Sequence, residues 1–228
     1  MAASNPSKRP SLFKLLTFLL LACSFAIAAT PADVHAIAQA VDNRYNRLQS
    51  LQTEFTESYS GMGTDRTESG ILWLKKPGKM RWEYRTPHEK LFLSDGKDTW
   101  FYLPGDRQAR RTPVKQLDDL RSPLAFLLGK AKLEKELEGL SIAQDVTPVA
   151  AGNVVLRGVP KAMADRVNQV VLEINPEHWI VGLTIDQVDG SRTAYRFSEQ
   201  KENLAISDQR FRFELPAGVE VVDGNLQP

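Results

Sequence analysis

The chain has 228 residues, 42% of them hydrophobic and 25% charged, and a net charge of +1. That is globular composition with room for one sizeable core or two small ones, and it leaves no bulk electrostatic footprint for nucleic acid. The single cysteine, Cys23, excludes a disulfide scaffold.

Lys8, Arg9 and Lys14 precede an apolar run at 15–27 that ends in Ala26-Ile27-Ala28-Ala29. A positive start, a short apolar middle and an A-x-A end are the three parts of a secretory signal peptide. The run is too short for a good membrane span. Cleavage after Ala28 is expected, leaving 29–228 as one domain. Loss of three cations and no acid then takes the net charge from +1 to −2. A second reading stays open, because Leu20-Leu21-Ala22-Cys23 loosely resembles a lipoprotein cleavage box in which Cys23 would be acylated and anchor the chain.

Val34, Ile37, Ala38, Val41, Tyr45, Leu48 and Leu51 recur at spacings of three and four, which predicts an amphipathic helix over 32–51. Short strands follow, separated by turn residues. They are expected at 53–60, closed by Gly61-Met62-Gly63; at 68–75, closed by Lys76-Pro77-Gly78; at 79–85; and at 90–94 and 99–103 around Asp95-Gly96, a hairpin signal. One more is expected at 109–113.

The spacing turns helical over 114–138. Ser122-Pro123 is an N-cap followed by proline at the first helical position, and Gly129 is a C-terminal stop. Between them Leu124-Ala125-Phe126-Leu127-Leu128 is apolar all round, so that helix must be buried on both sides or cover something apolar. Strands resume at 140–146, 154–159, 167–174, 180–186, 192–202 and 211–215, each with one apolar and one charged face. Trp179, just after Asn175-Pro176, reads as a turn cap. Antiparallel strands with one apolar face make a sheet wet on one side and apolar on the other. A barrel, a sandwich or a half-barrel crossed by helices would each satisfy it. From pattern alone the aromatic stripes read as an ordinary filled core.

Catalytic chemistry finds no support. His35, His88 and His178 are scattered and none sits in a metal-binding spacing. There is no G-x-S-x-G elbow and no phosphate-cradling loop. Asp118-Asp119 and Asp186/Asp189 lack a partner base. The chain is read as a non-enzyme without metal or cofactor.

Three segments together carry a resemblance. Leu72-Trp73-Leu74-Lys75-Lys76-Pro77-Gly78-Lys79-Met80-Arg81-Trp82-Glu83-Tyr84, Leu93-Ser94-Asp95-Gly96-Lys97-Asp98-Thr99-Trp100-Phe101-Tyr102 and Ser122-Pro123-Leu124-Ala125-Phe126-Leu127-Leu128 are similar, in order and spacing, to the periplasmic outer-membrane lipoprotein carrier (LolA) family. The resemblance implies a mainly β (α+β) fold: an incomplete antiparallel β-barrel of about eleven strands with a lid of about three helices. It implies a monomeric periplasmic shuttle that takes acylated lipoproteins from an inner-membrane transporter to an outer-membrane receptor. It implies an acyl-chain cavity lined by Trp73, Met80, Trp82, Tyr84, Trp100, Tyr102, Tyr195 and Phe197. The lid would comprise Val41, Tyr45, Leu48, Leu124, Phe126, Leu127 and Leu128. Family members often carry an arginine before the turn proline, bonded to lid carbonyls. Here Lys76 takes that position, as a lid lock of less fixed geometry or as a solvated turn residue. A lipid-anchored receptor of the same fold, with Cys23 acylated, and a lipid-sensing regulatory module are the alternatives.

Overall fold

The computed structural model describes residues 1–2, 33–114 and 132–224. The chain divides into Met1–Pro31 and Ala32–Pro228, and every element below belongs to the second unit. The expected leader with Cys23, and the expected helix bearing Leu124, Phe126, Leu127 and Leu128, lie outside the described residues.

Helix α1 (Val34–Arg47) opens at Asp33, whose side chain accepts a hydrogen bond from the His35 amide at 2.9 Å. Ala38, Val41 and Tyr45 form its buried stripe, at the spacing one helical face requires. Arg44 and Arg47 occupy the last turn, where cations favour the negative end of the helix dipole. The apolar spacing continues to Leu51, but the helix does not. Leu48 turns extended and the chain enters strand β1 at Ser50.

Strands β1 (Ser50–Gly61), β2 (Thr64–Lys75), β3 (Lys79–Thr86), β4 (Lys90–Ser94), β5 (Asp98–Tyr102) and β6 (Gln108–Pro113) form one antiparallel meander. After α2 (Leu133–Glu136), strands β7 (Leu137–Ile142), β8 (Val154–Pro160), β9 (Val167–Ile174), β10 (Ile180–Gln187) and β11 (Arg192–Glu202) form another. β11 pairs antiparallel with β1 and joins the two. β12 (Glu220–Asp223) lies parallel beside β6. Among the described residues the result is one open sheet of twelve strands with β12 and β7 at its edges. The β1–β2 turn has positive φ at both Met62 and Gly63, which suits the right-handed twist of a two-residue hairpin.

Two expectations change here. Residues 211–215 are not a strand: the chain forms a 3-10 turn over Asp208–Phe211, and the twelfth strand is β12 instead. Two α-helices, one of them only four residues long, stand among the described residues where a lid of three was expected.

Side chains alternate across a strand, so the sheet has two faces. The inner face carries α1 and most of the core: Leu72, Trp82, Leu156, Leu172 and Leu183 are buried with Ala38, Val41 and Tyr45. The outer face carries a strap, residues 204–214. Ile206 and Phe211 bury themselves against Trp73. Phe213 stacks on Trp100 at 4.7 Å and meets Tyr102 edge-on at 5.7 Å. Phe211 and Phe213 alternate as a strand would, but they are anchors on a sheet already formed.

Lys75 and Lys79 both hold the strap. Their ammonium groups lie 2.6 and 2.7 Å from the two oxygens of Asp208. Hydrogen bonds from Lys75 and Lys79 pull the Asp208 carboxyl down to about 2. A depressed carboxylate contributes stability above its ordinary pKa of 3.8 and loses it as pH falls through about 2. Proteolysis at the strap is therefore expected to accelerate across that acid window in the wild type. Asp208→Asn should show fast cleavage at neutral pH already, with a flatter pH profile.

Candidate functional site

Strand register sorts the inner face into rows. Leu51, Leu74 and Met80 are cross-strand partners, as are Thr53, Leu72, Trp82 and Phe92. The next row is Phe197, Phe55, Gly70, Tyr84 and Lys90; the one after is Leu183, Tyr195, Glu57 and Glu68. Chemistry thus changes along the strands, from aliphatic through aromatic to polar.

The aromatic rows close on themselves. Phe55 meets Trp82 edge-on at 4.7 Å and Tyr84 edge-on at 4.9 Å; Trp82 lies 5.7 Å from Tyr195, which stacks on Phe197 at 6.1 Å. These separations are the favourable ones for aromatic pairs. The Trp82 indole N–H points at the Met80 sulfur, 2.8 Å away, and Trp82 is only 2% exposed. Gly70 lies between Phe55 and Tyr84 in the register, so no side chain separates their rings.

The polar row follows. Glu57, 6% exposed, accepts from the Tyr84 hydroxyl at 2.6 Å. Burial, then the neighbouring Tyr195 and Glu57, push the Tyr84 hydroxyl far above its ordinary range; burial and then the Glu57 carboxylate do the same to Tyr195. Lys90 pairs with Glu68 at 2.5 Å and sits 3.9 Å over the Tyr84 ring.

α1 covers the opposite, aliphatic end. The Tyr45 hydroxyl accepts from the Ile180 amide at 3.1 Å, and its ring meets Trp179 edge-on at 5.7 Å. Trp179 is thus more than a turn cap. It is a buried wall under α1, with the Arg44 guanidinium 3.8 Å above its ring. The Lys76 ammonium donates to the carbonyls of Tyr45 and Asn46, at 2.9 Å each. These are among the last helical carbonyls, whose bonding is incomplete at a helix end; Tyr45's also accepts the Leu48 amide at 3.3 Å. Burial strips the ammonium of water and lowers the Lys76 pKa.

The expected lining residues therefore divide between faces. Met80, Trp82, Tyr84, Tyr195 and Phe197 share the inner face. Trp73, Trp100 and Tyr102 do not: Trp73 pairs with Arg81, Arg81 with Leu93 and Leu93 with Trp100, while Tyr102 pairs with Leu91. That row is on the outer face. There a recess of about 1040 Å³ opens between Trp73, Arg81, Tyr102 and the strap residues Ile206, Arg210 and Phe213. Of the expected lid residues, Val41, Tyr45 and Leu48 are buried with the inner core. Phe55, Glu57, Leu72 and Phe92 on the inner face were missed. A signal existed for Glu57: in Phe55-Thr56-Glu57-Ser58-Tyr59 it shares a side with Phe55 and Tyr59.

Residues 46–214 match the family described as Outer membrane lipoprotein carrier protein LolA. An outer-membrane lipoprotein carrier protein of Sodalis glossinidius is 29% identical over 208 residues, spanning 90% of this chain and 97% of that protein. One from Chromobacterium violaceum is 29% identical over 217 residues, spanning 94% and 98%. An uncharacterized conserved protein from Thermus thermophilus superposes with a TM-score of 0.53 at 13% identity, covering 83% of this chain and 98% of that one. The last likeness concerns fold alone.

Proposed function

The chain belongs to the outer-membrane lipoprotein carrier (LolA) family, and on that premise we propose that it is a periplasmic carrier holding the acyl chains of lipoproteins against the inner face of its sheet. In this reading a cleaved leader exports it. It receives cargo from an inner-membrane transporter, delivers it to an outer-membrane receptor, and works as a monomer. Met80, Trp82, Tyr84, Tyr195 and Phe197, with Phe55, line the seat. The sheet acts as an incomplete barrel. α1, through Val41, Tyr45 and Leu48, serves as part of a lid that Leu124, Phe126, Leu127 and Leu128 would complete.

The observation that carries the reading is the inner aromatic cluster, with an aliphatic end of the same face covered by a helix that Lys76 fastens at its last carbonyls. Burying a methylene gains about 0.8 kcal/mol, so three chains of about fifteen carbons give roughly 36 kcal/mol gross. Noncovalent affinity saturates near about 20 kcal/mol, and a carrier must release. Acyl chains that displace ring–ring and ring–helix contacts lose part of the gross gain in doing so. A face that closes on itself when empty meets both requirements.

A polarity-sensitive acyl probe titrated against purified protein tests this. Wild type should saturate, Phe197→Glu should abolish binding, and Trp100→Ala on the outer face should leave it intact. Equal losses in both variants, or no saturable binding in wild type, would reject the inner-face seat.

Lys76 is then the fastening of α1. Its two bonds to helix-end carbonyls are charge-assisted, each kind worth about 1.5–3 kcal/mol. Lys76→Leu is expected to speed amide exchange in α1 at least tenfold, and Lys76→Arg, which keeps charge and donors, should restore protection. Unchanged exchange in Lys76→Leu would leave the lysine without a closing role.

A further inference from the structure

Four ionisable side chains stand on the inner face beside the aromatic rows. Glu57 and Glu68 are cross-strand partners, Lys90 reaches across to Glu68, and Arg66 lies 3.7 Å from Glu68 on its far side. Stability alone does not ask for them, since replacing buried charged groups by apolar ones of similar volume is often neutral or stabilising. Nor, among the described residues, are their bonding capacities used up. A carboxylate offers about four lone-pair positions and an ammonium three donors. Tyr84 occupies one of the positions on Glu57, and Glu68 takes one donor of Lys90.

The position of the row is informative. From the Leu51 row to the Phe55 row is four residues of strand, about 13 Å. One leaflet of a bilayer's hydrocarbon, half of about 30 Å, is about 15 Å deep. The apolar length of the inner face therefore matches one long acyl chain laid along the strands, tail toward α1 and head toward Glu57. An acyl chain on a lipoprotein ends in an ester or an amide. That linkage carries a carbonyl acceptor, and in an amide an N–H donor as well. Buried on a purely apolar wall it would lose its hydrogen bonds with water and gain none.

Resting on the carrier reading above, we propose that Glu57 and Lys90, held by Tyr84 and Glu68, form a seat for the polar linkage of the cargo. Glu57 accepts the amide N–H, and Lys90 donates to the ester or amide carbonyl. The same row sets specificity: it favours chains joined through amide and ester groups over bare hydrocarbon, and it fixes which end of the face the protein part of the cargo leaves by.

Two pyrene-tagged ligands of equal chain length test this: an N-acylated, S-diacylglyceryl cysteine peptide and a plain hydrocarbon. Glu57→Gln, checked by circular dichroism for folding, should weaken the lipopeptide about tenfold or more, the loss expected of one charge-assisted hydrogen bond. Hydrocarbon binding should stay within about twofold. Lys90→Met, which keeps the stem and removes the ammonium, should give the same split and carries the test if Glu57→Gln does not fold. Hydrocarbon and lipopeptide weakened equally, or neither weakened, would overturn the seat while leaving carriage intact. Binding of neither ligand by wild type would overturn the carrier reading, and this inference with it.

Discussion

Gly70→Ala is expected to lower the stability of the protein by about 3 kcal/mol, the upper end of the cost of forcing extra atoms into a packed interior, as read from the midpoint of urea unfolding. A methyl group at residue 70 would overlap the Glu83 carbonyl oxygen and lie 2.8 Å from its carbon and 2.9 Å from the Tyr84 Cα. Those atoms are backbone of the neighbouring strand and have no rotamer to change. The register between β2 and β3 already shifts between Ser69 and Gly70, and the strands come together at that irregularity. Relief requires β3 to move away, which would pull Tyr84 from Phe55 and from Glu57. The loss should thus appear in function as well as stability. If Gly70→Ala unfolds at the wild-type midpoint, the close approach is not a constraint and the account of the Phe55–Tyr84 contact falls.

Much of the sheet was legible because its signals are local. The alternation in Lys79-Met80-Arg81-Trp82-Glu83-Tyr84-Arg85 is a period-two pattern flanked by turn residues, and β3 follows it. Most expected strands in both meanders appear within a few residues of their expected bounds. Face assignment failed where it needed two strands at once. Leu72-Trp73-Leu74 is apolar on both sides, so the strand alone does not say which side Trp73 takes. The Lys75↔Lys79 pairing across the turn decides it, by setting Trp82 opposite Leu72 and Arg81 opposite Trp73. Trp100 and Tyr102 then follow Trp73 to the outer face by parity. The strap eludes sequence reading for a different reason. The alternation of Phe211 and Phe213 is genuine, but nothing local says whether alternating side chains will meet a strand or a finished surface. β12 was missed because four exposed residues pairing parallel to β6 leave no periodic mark.

The inner-face row also shows where a strand rule breaks. Charged residues between apolar ones belong by default to the wet side of each strand. Glu57 departs from that rule, for it stands two residues from Phe55 on the same side. A charge in phase with an apolar stripe is costly to bury unless it is bonded, so it marks either a structural network or a polar ligand. Lys76 illustrates the reverse case. A turn lysine is ordinarily solvated, and only the return of α1 to the β2–β3 turn makes helix carbonyls available to it.

Trp82→Ala separates stability from carriage most sharply. Removing a large buried aromatic side chain costs about 3–5 kcal/mol, partly through the cavity left behind. Phe55, Tyr195 and Met80, which contact or bond Trp82, would each lose a partner. Melting temperature should fall accordingly. Affinity for an acyl probe should move the other way. On the proposed reading, the closed, empty state is the one that Trp82 stabilises, whereas a loaded state would have hydrocarbon in its place. An apolar cavity of this kind takes up apolar ligand rather than water. The variant is therefore expected to bind the probe more tightly than wild type, by about tenfold, and saturating probe should recover much of the lost melting temperature, since a ligand that binds only the folded state stabilises it by mass action. Loss of both stability and affinity would mean that the cluster is a fixed wall which cargo does not displace, and that acyl chains lie elsewhere than among these rings.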